Sequence, residues 1–288
     1  MTDALTLAIE EAPPLTDPVL LVALGGWFDA AGVATSALRL IADESNSVIV
    51  GEIDPDRFFD FTVVRPTVES VDGERQIVWP DNVFRAVRPT EAGRDLLVLE
   101  GVEPHVAWPA YVACVLEAID RVGAGLVVTL GAVADTTPHT RPPGVVGSTT
   151  DTALAATFGL VGPSYQGPTG VIGVLHGALE THGLPSISLR VGVPAYLPEG
   201  EHPRSVAALV AHAAHVLGVP LPIDLAESIR LWDNAHDAWV AGNERLRGYV
   251  ELLEQHYDSR IEEVVGDTDL AAHLEEFLAD GGDDPDDR

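Results

Sequence analysis

Short apolar segments alternate with amphipathic segments along the first 220 residues of the chain. Residues 19–24 (VLLVAL) are apolar throughout, as expected for a central strand that is buried on both faces. Further strands are predicted over residues 48–53, 57–64, 76–79, 95–99, 126–130, 170–174 and 186–193. Helices are predicted over residues 30–41, 108–121 and 204–217, with another beginning near Leu175. This alternation predicts an α/β fold with a mostly parallel or mixed sheet and helices on both faces.

A helical period follows Pro222. The positions that recur alternately four and three residues apart are Leu225, Ile229, Trp232, His236, Trp239, Asn243, Leu246, Val250, Leu253 and Tyr257. This heptad seam predicts a helical hairpin bent at residues 241–243 or one long helix. Two interpretations of the seam remain open: a cover for the α/β core, or a contact surface for another protein.

Four regions follow from these patterns. They are an N-terminal arm (1–17), an α/β core domain (18–220), a C-terminal helical hairpin or long helix (221–265) and an acidic tail (266–288). We expect the tail to be partly disordered, because it is rich in Gly and Asp.

The charge balance limits the classes of partner. The chain of 288 residues has a formal net charge of −29, which repels phosphate backbones and anionic lipid surfaces. We therefore expect no nucleic-acid partner and no membrane partner. All 16 basic residues are arginine, so the chain has no lysine for a phosphate-binding P-loop or a Schiff base.

Cysteine usage and the N-terminus indicate a cytoplasmic protein. The one cysteine, Cys114, forms no intrachain disulfide and falls in a predicted helix, where a buried core position is expected. The first residues are acidic and lack the basic segment of a signal peptide.

Three loops follow three predicted core strands, and each carries polar or aromatic side chains. They begin at Gly25, Glu100 and Leu130; a fourth stretch, 165–170, would close over them. If the strands are parallel, the loops converge at one edge of the sheet, where open α/β sheets bind ligands. The candidate ligand- or partner-binding residues are Gly25, Gly26, Trp27, Asp29, Glu100, Glu103, Trp108, His139, Arg141, Tyr165 and Thr169.

The charged candidates have structural interpretations beside the chemical ones. Asp29 is a general base or, as we favour, the cap of the following helix. His139 is an acid–base group or, as we favour, a hydrogen-bonded strut. Arg141 holds an anion or pairs internally with Glu100 or Asp29. Glu100 and Glu103 are paired carboxylates or part of a solvated turn.

Common catalytic motifs are missing from the sequence. It contains no GxSxG, HExxH or CxxC motif. His212 and His215 lie three residues apart on a predicted helix, but no carboxylate lies near them in sequence to complete a metal site. We therefore expect no catalytic residues, no metal site and no cofactor.

Five stretches together resemble a known family. They are GWFDAAGVA (26–34), VLEGVEPHVAW (98–108), LGAVADTTPHTRPPGVVGS (130–148), YQGPTGVIGVL (165–175) and GLPSISL (183–189). In this order they resemble the proteasome assembly chaperone family of the second-subunit type, in its actinobacterial form. The resemblance covers residues 18–220, and the helical section beyond fits it more loosely.

The resemblance implies a fold and a class of partner. The implied fold is a three-layer α/β/α core similar to the phosphorylase/hydrolase fold, with a C-terminal helical extension. The implied partners are protein subunits, including proteasome components, and the implied assembly is a homo-oligomer, a trimer above all. No established catalytic residues come with the family.

The chain departs from the family at two places. It ends Asp286-Asp287-Arg288, without the hydrophobic–tyrosine–any motif that some archaeal relatives use for docking. Relatives often carry a histidine and a tyrosine after the proline at the position of Pro194, whereas this chain has Ala195 and Tyr196. This departure weakens the case for a second catalytic histidine beside His139.

Three hypotheses for function follow. The leading one is a non-enzymatic protein-recognition module, like a proteasome assembly chaperone. The alternative is an enzyme or binding protein for a nucleoside-like or anionic metabolite, using a crevice between Gly25, Glu100 and His139. The third is that the Pro-rich loop is purely structural, with His139 and Arg141 as internal struts.

Overall fold

A mixed eight-stranded sheet forms the centre of the protein. The computed structural model describes residues 5–7, 14–43, 47–71, 73–89, 93–197, 199–221 and 223–266. The strands in chain order are β1 (Leu5–Leu7), β2 (Val19–Gly25), β3 (Val48–Ile53), β4 (Thr67–Val71), β5 (Glu74–Val78), β6 (Asn82–Val87), β7 (Leu96–Val102), β8 (Leu126–Asp135), β9 (Val145–Ser148) and β10 (Ser186–Pro194). Their order in the large sheet is β1-β3-β6-β7-β2-β8-β10-β9, and β4 and β5 form a separate hairpin.

Helices cover both faces of this sheet. They are α1 (Val33–Asp43), α2 (Trp108–Val122), α3 (Thr152–Phe158), α4 (Val171–His182), α5 (Pro203–Leu217), α6 (Ala226–Ala241) and α7 (Glu244–Gly266). Helices α1 and α5 pack on one face, where their core contains Leu21 of β2, and α2 and α4 pack on the other, where their core contains Leu20. Because successive residues of a strand point to opposite faces, the wholly apolar segment 19–24 serves both cores. The predicted three-layer α/β/α core is confirmed.

The four central strands fix where the loops lie. Strands β7, β2, β8 and β10 are mutually parallel, so the loops after them leave at the same edge of the sheet, here called the carboxyl edge. In chain order the arrangement is 2-1-3-4, which places the switch point of the sheet between β2 and β8. The predicted convergence of the three loops follows from this topology.

Two predicted strands are wrong. Residues 57–64 contain the end of a 3₁₀ turn over Pro55–Arg57 and further turns, and β5 pairs instead with β4. Residues 170–174 are not a strand, because α4 begins at Val171 with Gly170 as its N-cap. The sequence pattern also failed to predict β1, β4, β6, β9 and α3.

The two C-terminal helices bend sharply at Gly242 and Asn243. Asp237 of α6 contacts His139, and Glu254 of α7 contacts the neighbouring Thr140. A straight helix would separate two residues 17 positions apart by about 25 Å, so the chain turns back between α6 and α7. We call α6 and α7 the C-terminal helix pair.

Two predictions concern regions at the chain ends. The prediction for the acidic tail lies outside the described residues. Of the N-terminal arm, β1 pairs antiparallel with β3 and so extends the sheet. Among the described residues, none of the helices combines the length and hydrophobicity that crossing a bilayer requires.

Candidate functional site

Glu103 links three backbone segments at the carboxyl edge. Its N–H donates to the carbonyl of Gly25 over 2.8 Å. Its carboxylate accepts the backbone N–H of Trp27 on Oε2 (3.0 Å) and that of Val171 on Oε1 (2.9 Å). A carboxylate at the first residue of α4 also interacts favourably with the helix dipole. Glu103 therefore anchors the loop after β2 and the start of α4.

Two glycines allow the backbone to approach this carboxylate closely. Gly26 has φ +153°, and a Cβ atom there would lie 2.8 Å from Cβ of Glu103. A Cβ atom on Gly170 would lie 2.6 Å from Oε1 of Glu103 and 3.3 Å from Cε3 of Trp27. A side chain at either position would thus displace Glu103, which explains why glycine stands there.

Two aromatic side chains project from this anchored region. Trp27 is 68% exposed and Tyr165 is 69% exposed. The Tyr165 hydroxyl donates to the carbonyl of Pro168 over 3.0 Å, which holds the ring over its own loop. Residues 161–169 are exposed throughout and carry no charged side chain. We call residues 25–27 and 161–170 the aromatic rim; it is an uncharged surface on a highly acidic chain.

Two further candidates, Trp108 and Thr169, have structural contacts. Trp108 is at the start of α2 and donates from Nε1 to the carbonyl of Pro104 over 2.6 Å. The Thr169 hydroxyl packs over Gly173, where an added Cβ atom would lie 1.9 Å from Oγ1. Both contacts stiffen the segments that carry the rim.

Phe28 fills the crevice at the switch point between β2 and β8. A Cβ atom added to Gly131 of β8 would lie 2.0 Å from Cε1 of Phe28. The backbone of Phe28 also contacts β8, since the N–H of Ala132 donates to the Phe28 carbonyl over 2.9 Å. The Phe28 ring thus lies where open α/β sheets commonly bind a ligand.

Asp29 and Glu100 are engaged within the fold. The Asp29 carboxylate is buried and accepts hydrogen bonds from the Ala34 N–H and the Thr35 hydroxyl, both 2.6 Å, so it caps α1. Burial raises the pKa of Asp29, against the opposing effect of these hydrogen bonds. Glu100 lies in β7 and pairs with Arg39 over 2.5 Å. The sequence left open whether Glu100 and Glu103 are paired carboxylates or part of a solvated turn; in the structure their carboxylates have different partners.

His139 is a buried strut on the loop after β8. It is only 3% exposed. The Tyr196 hydroxyl accepts the backbone N–H of His139 over 2.7 Å and lies 2.5 Å from Nδ1, while Nε2 lies 3.2 Å from Asp237 of α6. Since a carboxylate only accepts, we assign the proton to Nε2, with Tyr196 donating to Nδ1. Burial lowers the pKa of His139, against the attraction of Asp237.

Arg141 joins the same loop to α7. Its guanidinium donates to both carboxylate oxygens of Asp258 (2.8 and 2.7 Å) and to Glu254 (3.2 Å). The hydrogen bonds to Asp258 raise the pKa of Arg141 above its ordinary value. The predicted internal pairing with Glu100 or Asp29 is therefore wrong in its partner, because the C-terminal helix pair supplies the acids.

The candidates thus fall into two groups. Gly25, Gly26, Trp27, Tyr165 and Thr169 belong to the aromatic rim, which Glu103 anchors, whereas Asp29, Glu100 and Trp108 have contacts within the fold. His139 and Arg141 lie under the C-terminal helix pair, beside a recess of ≈ 10 Å³. A volume of this size holds one water molecule at most, so the helix pair leaves no room there for a metabolite.

The sequence analysis missed the partners that define the second group. Tyr196, Asp237, Glu254 and Asp258 are 57 to 117 residues away from the loop along the chain. The one available signal was the heptad seam, whose members Trp232 and His236 pack against His139. The described residues contain no group of three or more His, Cys, Asp or Glu side chains placed to hold a metal ion.

Comparisons with known proteins are consistent with this architecture. A model of the PAC2 family matches residues 23–240. No curated protein sequence matches the chain. A PAC2 family protein from Streptomyces avermitilis is 34% identical with a TM-score of 0.75, over 81% of this chain and 100% of that one. A proteasome-assembly chaperone homologue from Mycobacterium tuberculosis is also 34% identical, with a TM-score of 0.71, over 81% of this chain and 99% of that one.

The fold extends to a more distant structure. A Mycobacterium tuberculosis protein of unknown function is 24% identical with a TM-score of 0.83, over 93% of both chains. At this identity the likeness shows the fold alone.

Proposed function

This chain belongs to the PAC2 family, and on that premise we propose that it is a non-enzymatic recognition protein that binds other protein subunits through its aromatic rim. The observation that carries the proposal is the exposure of Trp27 and Tyr165 on a backbone that Glu103 holds fixed. Exposed aromatic residues on a rigid backbone are typical centres of protein interfaces, since they bury large areas with little loss of side-chain entropy.

The chemistry of the rim favours a protein surface as its partner. Residues 161–169 carry no charge, so the partner loses no hydrated charge when it covers them. One relative is described as a proteasome-assembly chaperone homologue. We extend that role to this chain as a proposal, with proteasome subunits as the partner and the cytoplasm as the compartment.

The metabolite hypothesis has less support. Phe28 fills the crevice between β2 and β8. His139 and Arg141, the residues that would act as acid–base group and anion holder, are hydrogen-bonded to Tyr196 and to acids of the C-terminal helix pair. A nucleoside-like ligand would have to displace these contacts before it could bind.

A capture experiment with matched variants tests the proposal. The tagged wild-type chain should retain proteasome subunits from a native lysate, and Trp27→Ala/Tyr165→Ala should retain them at no more than about a tenth of that level. Trp239→Ala is the control, because Trp239 is an exposed aromatic residue on α6. Equal capture by wild type and the double variant would reject the aromatic rim as the binding surface.

Self-association is a separate part of the proposal. The homo-oligomer implied by the resemblance, expected to be a trimer, is tested by light scattering on the purified full-length chain. A mass of one chain at all concentrations would reject it without affecting the recognition proposal.

A further inference from the structure

The contacts between the core and the C-terminal helix pair are divided by charge. The core supplies the hydrogen-bond donors: the guanidinium groups of Arg141, on the loop after β8, and of Arg204, on α5, and the Nε2–H of the neutral His139 ring. The helix pair supplies the acids: Asp233, Asp237, Glu254 and Asp258. Arg204 donates to both oxygens of Asp233, at 2.7 and 2.5 Å, as Arg141 does to Asp258. The two surfaces are therefore complementary, with a bidentate arginine–carboxylate pair to each helix.

A second observation shows that the helix pair does not satisfy this surface completely. His202 lines the recess between Arg141, Arg204 and Trp232 and is only 2% exposed. Its Nε2 lies 2.9 Å from the carbonyl of Leu197, to which it donates, while its Nδ1 is buried without a hydrogen-bond partner. Nδ1 is then a free acceptor on a residue that lines a recess large enough for one water at most.

We propose that this surface of the core, made by Arg141, Arg204, His139 and His202, is a binding site for an acidic helical segment of a partner polypeptide, and that the C-terminal helix pair occupies the site in the free chain. This site is distinct from the aromatic rim. A polypeptide supplies carboxylates for both arginines and also an N–H or O–H donor for Nδ1 of His202.

The packing of the helix pair favours a polypeptide over a small anion. Val250 and Leu253 of α7 are buried, and Trp232 of α6 packs against His139 and His202. Release of the helices exposes this apolar surface to water, which is unfavourable, and a small anion bound to the arginines would not cover it. An acidic helix with an apolar face covers it again, as the present occupant does.

The test uses the full-length chain and an acidic helical probe. The probe is a fluorescent peptide of residues 226–260 of this chain, and binding is measured by anisotropy. The receptor is a variant with Asp233→Asn, Asp237→Asn, Glu254→Gln and Asp258→Asn, whose own helix pair is weakened. We expect this variant to bind the peptide about tenfold or more tightly than wild type, because the internal competitor is released more often.

Three controls separate the proposed site from non-specific binding. Glu227→Gln/Glu251→Gln removes two exposed carboxylates of the same helices that pair with Arg230 and Arg247 instead of the core, and it should bind the peptide as wild type does. Arg141→Gln and Arg204→Gln, added to the weakened variant, should abolish binding. A peptide that carries the same four Asn and Gln substitutions should bind neither protein.

Each other result overturns the proposal. It fails if the weakened variant is folded by circular dichroism and binds no better than wild type, or if binding survives loss of both arginines. It also fails if inorganic phosphate displaces the peptide at equal concentration, since the site would then select small anions. If the fourfold variant does not fold, amide hydrogen exchange of the wild-type chain is measured instead. In about 0.5 M salt the amides of α6 and α7 should lose protection while those of α5 keep it. Equal protection of the three helices under these conditions would contradict the proposal.

Discussion

The ring of Phe28 lies against the backbone of Gly131, so that the loop after β2 closes over β8. A Cβ atom on Gly131 would lie 2.0 Å from Cε1 of Phe28. The glycine is needed for this approach and not for a turn, because it stands within a regular strand. The Phe28 ring and Gly131 are therefore packed together where an open α/β sheet commonly has a ligand crevice.

Gly131→Ala should therefore destabilise the protein by about 1–3 kcal/mol, since the added methyl group forces the Phe28 ring away from β8. Urea unfolding measures the change. Gly177→Ala is the matched control: this position lies inside α4 with open space around it, and the change should stabilise the helix by about 0.5–1 kcal/mol. Loss of stability of the same size in both variants would contradict the packing argument.

Glu103→Gln should cost about 1–3 kcal/mol of unfolding free energy. Both carboxylate oxygens of Glu103 accept backbone N–H groups, and an amide presents an NH₂ group to one of them and leaves that N–H unpaired. Thermal unfolding measures the loss, which should come with weaker capture of protein partners because the aromatic rim is no longer fixed.

Glu100→Gln is the control for that experiment. Glu100 forms ion pairs with the partly exposed side chains of Arg39 and, at 3.9 Å, Arg85, so its replacement should cost only about 0–1 kcal/mol. If both substitutions lower the unfolding free energy by the same amount, Glu103 does not anchor the loop after β2 and the start of α4.

Strands that are buried on both faces were the easiest elements to predict. The apolar runs of β2 and β8 need no knowledge of their neighbours, because any central strand of a parallel sheet is apolar throughout. The exposed hairpin of β4 and β5 has no buried face, so its apolar residues carry no regular period. Buried Phe58 and Phe59 suggested a strand, but they are core residues on turns.

The side chains at the carboxyl edge could be predicted as a set, but their partners could not. Parallel strands bring the loops together whatever the side chains are, which is why Trp27 and Glu103 meet. The partners of His139 and Arg141 depend on how the C-terminal helix pair folds back, and the sequence left that path open. The heptad seam predicted a face for these helices but gave no indication of which surface it covers.

His176 should make the protein less stable as the pH falls. The imidazole lies partly buried between Thr129 and Ser186, at 2.8 and 2.9 Å from their hydroxyl oxygens. Burial lowers the pKa of His176 from 6.5 to about 4. Because the folded pKa lies below the unfolded one, the unfolded chain binds more protons between these values, and stability is lost as pH falls through this window. The loss approaches about 1.4 kcal/mol per pH unit and about 3 kcal/mol in total.

Comparison with a His176→Gln variant isolates this effect. The difference in unfolding free energy between wild type and His176→Gln should stay constant above about pH 7. Below that pH the wild type should lose more stability than the variant does. A difference that is independent of pH down to about pH 4 would show that His176 does not titrate abnormally.

Tyr196→Phe should destabilise the loop after β8 and its contact with α6. The phenolic oxygen is the partner of both the backbone N–H and Nδ1 of His139. Its removal leaves two buried polar groups without a partner, at an expected cost of about 1–3 kcal/mol. Tyr249→Phe is the control, because Tyr249 packs edge-on against Tyr196 but is 43% exposed, and its change should stay within about 0.5 kcal/mol. Urea unfolding gives both values, and the His139 ring nitrogens report the tautomer by NMR. If Tyr196→Phe keeps wild-type stability and the same ring signals, the hydroxyl does not hold His139 in place.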